Sequence, residues 1–143
     1  MTGEDMEYIE RELDIKLPES YKRALVPFRI PAMRGNTYHQ LWDAAEALVH
    51  LNREMRQGSR YNPPWPHYMY AVGYPRGDEM IAIDTRLPEG PVWWLDHGVI
   101  DHVASYKTSD RFEDWVEEFY SDARGDLIAD GHDPDKVGPP RLE

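Results

Sequence analysis

A proline-rich segment near the middle of the chain separates two kinds of sequence. Residues 62–66 read Asn-Pro-Pro-Trp-Pro, and three prolines so close together exclude regular structure because they remove backbone donors and restrict their neighbours. Before this segment, apolar residues recur three and four positions apart, which is the spacing of one helix face. After it, short apolar runs alternate with turn-forming residues. The chain is therefore predicted to begin with helices and to continue as short strands.

Three helices are predicted before the proline-rich segment. Pro18 suits the start of the second helix, where its missing N–H would have no partner anyway. Asp43 is predicted to cap the third helix and Gly58 to end it. The apolar positions of the three helices are, in order, Met6, Ile9 and Leu13; Tyr21, Leu25 and Phe28; and Leu41, Ala44, Leu48, Leu51 and Met55.

Four short apolar runs follow and predict the strands of an antiparallel meander, because the links between them are short. The runs are Tyr68–Gly73, Met80–Asp84, Val92–Leu95 and Val99–Ala104. A fourth helix is then predicted from about Asp110 to Ala123, with Ser109 as its cap. Its apolar face holds Phe112, Trp115, Val116, Phe119 and Ala123, and its opposite face holds Asp110, Glu113, Asp114, Glu117 and Glu118.

Composition limits the kind of protein this chain can be. With 143 residues, of which 41% are hydrophobic and 12% aromatic, it is predicted to form one globular domain. It contains no cysteine, which excludes disulfides and thiolate chemistry. The acidic stretch Met1–Glu12 has no apolar core of a signal peptide, and no run reaches the ~20 apolar residues of a membrane span. We therefore expect a cytoplasmic location.

The charge of the chain is distributed unevenly. Residues 1–77 contain ten carboxylates and ten Lys or Arg, whereas residues 78–135 contain sixteen carboxylates and four Lys or Arg. Net charge affects solubility and the choice of partners rather than the fold. Such a surface repels nucleic-acid phosphates and anionic membranes, so direct binding to either is not expected. Solubility alone accounts for an acidic protein, but a basic partner is the alternative that this concentration of charge favours.

Four stretches of the chain resemble, in the same order, the motifs of the SUKH superfamily, the Smi/Knr-type domains. Residues 9–22 resemble its opening signature, an acidic helix followed by Leu-Pro, an acid and a Tyr. Residues 72–84 resemble its central hairpin with a Gly-Asp turn, residues 92–97 its strand ending in Asp-His, and residues 109–116 its closing helix. The Gly-Gly that usually follows the second helix is absent, so the resemblance does not extend to the connection at 28–40.

The resemblance implies an α+β fold, a single domain in which helices flank a central, mostly antiparallel sheet of about four to six strands. This SUKH-like domain would occupy residues 1–130, with a Pro- and Gly-containing tail at 131–143. Bacterial members of the family are typically immunity proteins, which bind and neutralise a cognate polymorphic toxin, often a nuclease. Fungal members are instead regulatory scaffolds of cell-wall signalling. Neither role is that of an enzyme.

An acidic surface suits a nuclease inhibitor, because a nuclease cleft is commonly basic. Complementary charge mainly speeds association, whereas a few buried aromatic or Arg residues supply most of the affinity. Trp65 in the proline-rich segment, and Trp93 or Trp94, are candidate aromatic contacts; of the adjacent pair, one is predicted to point inward and the other outward. The candidate partner-binding residues are Asp78, Glu79, Glu89, Glu113, Asp114, Glu117, Glu118, Trp65 and Trp94.

The sequence offers little support for catalysis or metal binding. Asp96, His97, Asp101 and His102 are of metal-ligand type, but Asp101 and His102 would face opposite sides of a strand. No phosphate-binding glycine loop, Gly-x-Ser-x-Gly or His-Glu-x-x-His is present. We therefore expect no metal and no cofactor. Three hypotheses stay open: an immunity protein, a scaffold that binds a housekeeping partner, and an enzyme using the Asp and His residues near 96–102.

Overall fold

The structure, a computed structural model of the chain, describes residues 1–26, 28, 39–60, 62–74, 79–100, 105–131 and 133.

The first helix buries the face that its spacing predicts. Helix α1 spans Gly3–Leu13, and its Met6, Ile9 and Leu13 are all buried. Thr2 caps it: the Thr2 hydroxyl accepts from the Asp5 N–H and the Asp5 carboxylate accepts from the Thr2 N–H.

Helices α2, Glu19–Leu25, and α3, Ala45–Gln57, confirm two of the predicted elements but not one of their caps. Both are shorter than predicted, because Phe28 lies after α2 and Leu41 and Ala44 lie before the first residue of α3. Ala44 is the N-cap of α3 and no side chain caps the helix, so the prediction for Asp43 is wrong. The buried Asp43 carboxylate instead pairs with the Met1 ammonium. The ammonium balances the charge of a carboxylate that the fold has removed from water.

Gly58 ends α3 as predicted. Its φ of 71° lies in the left-handed region that favours glycine. A Cβ on this residue would also lie 2.7 Å from the backbone nitrogen of Pro64. The proline-rich segment therefore packs directly against the end of α3, and only glycine fits between them.

The strands form one antiparallel meander in the order β1-β2-β3-β4, which confirms the α+β single-domain layout, with four strands in the sheet. They are β1, Met69–Gly73; β2, Glu79–Asp84; β3, Val92–Asp96; and β4, Tyr106–Ser109. Two residues hydrogen bond to the outer edge of β1. The Asn52 side chain exchanges two hydrogen bonds with the Ala71 backbone, and the backbone N–H of Trp42 donates to the Val72 carbonyl.

The predicted position of the fourth strand is wrong. Val99 and Ile100 lie outside any strand, and residues 101–104 are not among those described. The strand that pairs with β3 is β4, in which Tyr106 is the partner of Trp94. Its exposed residues do not follow an apolar pattern, because an edge strand on the surface buries little apolar area. The apolar run just before it was therefore the misleading signal.

Helix α4 spans Phe112–Ala129, longer than predicted and beginning later. Arg111 is its N-cap without a side-chain hydrogen bond, so Ser109 is not the cap; the Ser109 hydroxyl bonds instead to the Arg111 backbone. The Phe112 N–H donates to the Glu89 carbonyl. Beyond Ala123 the helix continues because two apolar residues of its last turns pack against the core, namely Leu127 and Ile128.

A cluster of aromatic rings connects the sheet to α2 and α4. Tyr21 of α2 contacts Tyr70 of β1 edge-on at 5.2 Å between ring centroids, and their hydroxyls hydrogen bond at 2.9 Å. Tyr21 also contacts Phe112 at the start of α4. Tyr120, which the predicted helix face had omitted, is fully buried and donates its hydroxyl to the Ala24 carbonyl. These contacts pack α4 against α2 and set which side of the helix meets solvent.

Candidate functional site

The outer side of α4 carries a row of carboxylates. Helix α4 contains six acidic residues and a single basic one, Arg124. Four of the six are exposed and recur every fourth residue: Asp114, Glu118, Asp122 and Asp126. At 1.5 Å per residue, this acidic row extends for about 18 Å along the helix. Carboxylates four apart on a helix are neighbours and repel one another.

None of the four carboxylates of the acidic row makes an ion pair with a described residue. Some other acids after residue 77 do pair with a basic residue. Asp84 pairs with Arg86, and Asp110 with Lys107 at 2.6 Å. Three of the four basic residues between 78 and 135 thus form ion pairs with carboxylates outside the acidic row. The negative charge of the row is therefore not offset by them.

Glu89 and Glu113 lie together but in a mixed-charge environment. Both line a shallow groove of about 270 Å³ that also contains Arg23 and Arg111. The Glu113 carboxylate accepts hydrogen bonds from both guanidiniums. Arg23 comes from the neutral first half of the chain, 90 residues away in sequence. Glu113 was predicted to bind a partner through its negative charge, and these two cations offset that charge; the partner contact itself stays a prediction.

Glu79 and Trp94, two of the predicted residues, are in direct contact. The Trp94 indole N–H donates to Glu79 Oε2 at 2.7 Å. The Trp94 ring stacks on Tyr106 with centroids 5.4 Å apart. Tyr106 was not among the predicted residues, because β4 itself was misplaced. Together Glu79, Trp94 and Tyr106 form what we call the aromatic–acid patch.

The adjacent tryptophans of β3 point to opposite faces of the sheet, as predicted. Both are half-buried, however, so neither ring is the fully inward or the fully outward member of the predicted pair. Trp93 lines a cavity of about 190 Å³ with Met69 and Leu95. At the cavity wall, Arg86 lies 3.6 Å from the Tyr68 ring centroid and donates to Asp84, which holds the pKa of that carboxyl below its ordinary value.

Trp65 does not lie on the surface, so the prediction that it contacts a partner is wrong. Only 4% of the residue is exposed, and its indole N–H donates to the Gly98 carbonyl at 2.8 Å. A large aromatic ring in a rigid proline-rich segment is well suited to closing the core beside α3. Asp78 lies outside the described residues, so nothing is established about its surroundings.

The described residues contain no group of three or more His, Asp or Glu side chains placed to hold a metal ion. Asp96 and His97 contact each other at 3.1 Å, between Oδ1 and Nδ1. Asp101 and His102, the other half of that candidate set, lie outside the described residues. Among the helices in the described ranges, none has the length and apolar composition that crossing a membrane requires.

Two acids of α4, Asp122 and Asp126, were missed by the sequence analysis. Asp122 lies within the predicted helix at the same spacing of four and was overlooked. Asp126 joins the row only because the helix extends past Gly125.

Comparisons of the chain with protein-family models, with curated protein sequences and with solved structures gave no match in any of the three. The resemblance to the SUKH superfamily therefore stays a prediction.

Proposed function

We propose that this protein is a cytoplasmic immunity protein of SUKH type, which binds and neutralises a basic protein toxin. The class of toxin that fits the proposal best is a nuclease. The immunity protein acts by stoichiometric binding and not by catalysis. The observation that carries this proposal is the acidic row of α4, four exposed carboxylates without ion pairs among the described residues. The proposal also draws on the resemblance of residues 9–116 to the family motifs.

Physical reasoning connects the acidic row to a basic partner. Aligned carboxylates cost the free protein stability, and a surface of opposite charge removes that repulsion on binding. A nuclease cleft must hold phosphates and so offers such a surface. Complementary charge raises association rate constants to ~10⁸–10⁹ M⁻¹s⁻¹ at low salt, compared with ~10⁵–10⁶ for uncharged surfaces. A fast inhibitor has an advantage when a toxin enters the cytoplasm.

Glu89 and Glu113 have a smaller part in this proposal than the sequence suggested. Their groove contains two guanidiniums, so its field is weak at a distance. Long-range steering falls mainly to the acidic row, and short-range contacts to the aromatic–acid patch. Glu117, on the same helix but only half-exposed, lies beside the row.

The proposal is tested by the association kinetics of the protein with the toxin encoded beside it. One triple variant neutralises part of the row: Glu118→Gln, Asp122→Asn and Asp126→Asn. The matched control neutralises three exposed acids elsewhere: Glu4→Gln, Glu7→Gln and Glu46→Gln. Both changes raise the net charge by the same amount.

We expect the association rate of the parent protein to fall at least tenfold between 25 and 300 mM NaCl. The row variant should associate slowly at low salt and lose most of this salt dependence, while the control keeps it. Equal effects of the two triple variants would contradict the role of the acidic row. Absence of any complex with the toxin, together with a stable complex with a housekeeping protein, would favour the scaffold alternative.

A further inference from the structure

The aromatic–acid patch has the composition of a contact site on the open surface. Tyr106 is 55% exposed, which is the highest value among the large hydrophobic residues that the structure describes as exposed. Its ring is stacked on Trp94 at an interplanar angle of 25°. Exposing a stacked aromatic pair of this size has a cost in apolar hydration, and such side chains are enriched where proteins bind partners.

The patch is held in place before anything binds. Glu79 fixes the Trp94 ring through the indole N–H, and Gln40 Nε2 lies 3.4 Å from the other carboxylate oxygen of Glu79. That second contact is long, so the oxygen keeps capacity to accept a hydrogen bond. A rigid aromatic surface beside an oriented carboxylate loses little side-chain entropy on binding.

A second carboxylate lies directly across from the first. Glu79 and Asp96 are register partners on the neighbouring strands β2 and β3. Like charges at opposing positions of an antiparallel pair destabilise the sheet. Asp96 also lies 3.1 Å from the His97 ring, which carries positive charge only when protonated. An arginine that reached both Glu79 and Asp96 would therefore meet two carboxylate acceptors on neighbouring strands.

We infer that the aromatic–acid patch binds one arginine side chain of a partner protein. Its aliphatic stem packs against Tyr106 and Trp94, and its guanidinium donates to Glu79 and Asp96. Arginine fits better than lysine because its planar fork bridges two carboxylates and stacks on aromatic rings. The inference rests on the proposed function, since a basic toxin supplies the arginine, and it assigns the anchor of that interface to β2, β3 and β4.

The inference can be tested without the toxin. The probe is the peptide acetyl-Gly-Gly-Arg-Gly-Gly-amide, compared with the same peptide containing lysine or citrulline, which is neutral but has nearly the shape of arginine. The readout is the set of indole N–H resonances from the five tryptophans. Trp94→Phe identifies the resonance of interest. Glu79→Gln is the test variant, because its amide oxygen still accepts from the Trp94 indole.

We expect saturable movement of the Trp94 resonance at millimolar arginine peptide, weaker movement with lysine and none with citrulline. Glu79→Gln and Tyr106→Ala should each weaken binding at least fivefold. Glu46→Gln, which changes the net charge equally at an exposed residue of α3, should change it less than twofold. Equal weakening by Glu79→Gln and Glu46→Gln, or a response to citrulline, would overturn the inference. Thermal melts of each variant check that it is folded.

The same variants separate this inference from the proposed function. If the peptide response depends on Glu79 but the neighbouring toxin does not bind, the proposed function fails while the arginine site stands. If the toxin binds and its affinity is unchanged by Glu79→Gln and by Tyr106→Ala, the arginine site is wrong while the proposed function stands.

Discussion

The side-chain amide of Asn52 makes both backbone hydrogen bonds of Ala71 that a neighbouring strand would otherwise make. Asn52 Oδ1 accepts from the Ala71 N–H at 2.7 Å, and Nδ2 donates to the Ala71 carbonyl at 3.0 Å. Nδ2 also donates to the Leu48 carbonyl one turn earlier in α3. Asn52 is buried, so the amide closes the edge of the sheet at β1 without water. Among the described strands, β4 is the edge strand at the other end of the sheet.

Replacing Asn52 should destabilise the fold through this edge. Asn52→Leu leaves the Ala71 N–H and carbonyl buried without partners, and we expect a loss of about 2–4 kcal/mol in the free energy of unfolding. Asn52→Asp is the control that keeps an acceptor for the Ala71 N–H but loses the donor to its carbonyl. Urea unfolding followed by circular dichroism measures both. A leucine variant as stable as the parent would show that the edge does not depend on the amide.

Neutralising the centre of the acidic row should stabilise the free protein. Glu118→Gln with Asp122→Asn removes every i,i+4 pair of carboxylates in the row, for a gain of about 0.6–1.5 kcal/mol at low salt. The gain should shrink at 0.5 M NaCl, since exposed charges are screened over a few ångströms there. Thermal unfolding at both salt concentrations measures it. A variant less stable than the parent at low salt would mean that these carboxylates do not repel one another.

Two glycines should respond in opposite ways to alanine. Gly125 lies within α4, and a Cβ there would meet nothing within 4 Å, so Gly125→Ala should stabilise by about 0.8–1 kcal/mol. Gly58→Ala should destabilise strongly, because φ is positive and its Cβ would lie 2.7 Å from the Pro64 nitrogen. Chemical denaturation of the two variants side by side checks both signs. A neutral Gly125→Ala would indicate that α4 frays before this residue.

The ion pair between Asp84 and Arg86 should make stability depend on acid pH. Arg86 donates to both carboxylate oxygens, at 3.0 and 2.7 Å, and lowers the pKa of Asp84 in the folded state. A carboxyl with a lowered folded pKa stabilises the protein above its unfolded pKa of about 3.9 and loses that contribution as pH falls through the folded value. Arg86→Met should therefore destabilise at pH 7 and converge on the parent towards pH 2, as measured by urea unfolding. A constant difference across this range would contradict the ion pair.

Periodicity in the sequence was sufficient to predict the elements whose buried residues recur at a regular spacing. The face of α1, the positions Leu48 and Leu51 of α3, the strands β1 to β3, and the stop at Gly58 follow from apolar spacing and backbone preference, which are local properties. The start of α4 and the place of β4 did not follow, since Ser109 looks like a cap and β4 has no apolar pattern. Local patterns carry no information where an element is exposed or where a cap competes with other contacts.

The sequence by itself determined the excess of carboxylates after residue 77, the absence of cysteine, and the succession of helices, meander and helix. Only the tertiary structure decided which of those carboxylates keep their field. It brought Arg23 to Glu113 across 90 residues, buried Trp65 against Gly98, and placed Trp94 between Glu79 and Tyr106. The physical reason is that the charge and the exposure of a side chain depend on neighbours in space, and these come from distant positions in the chain.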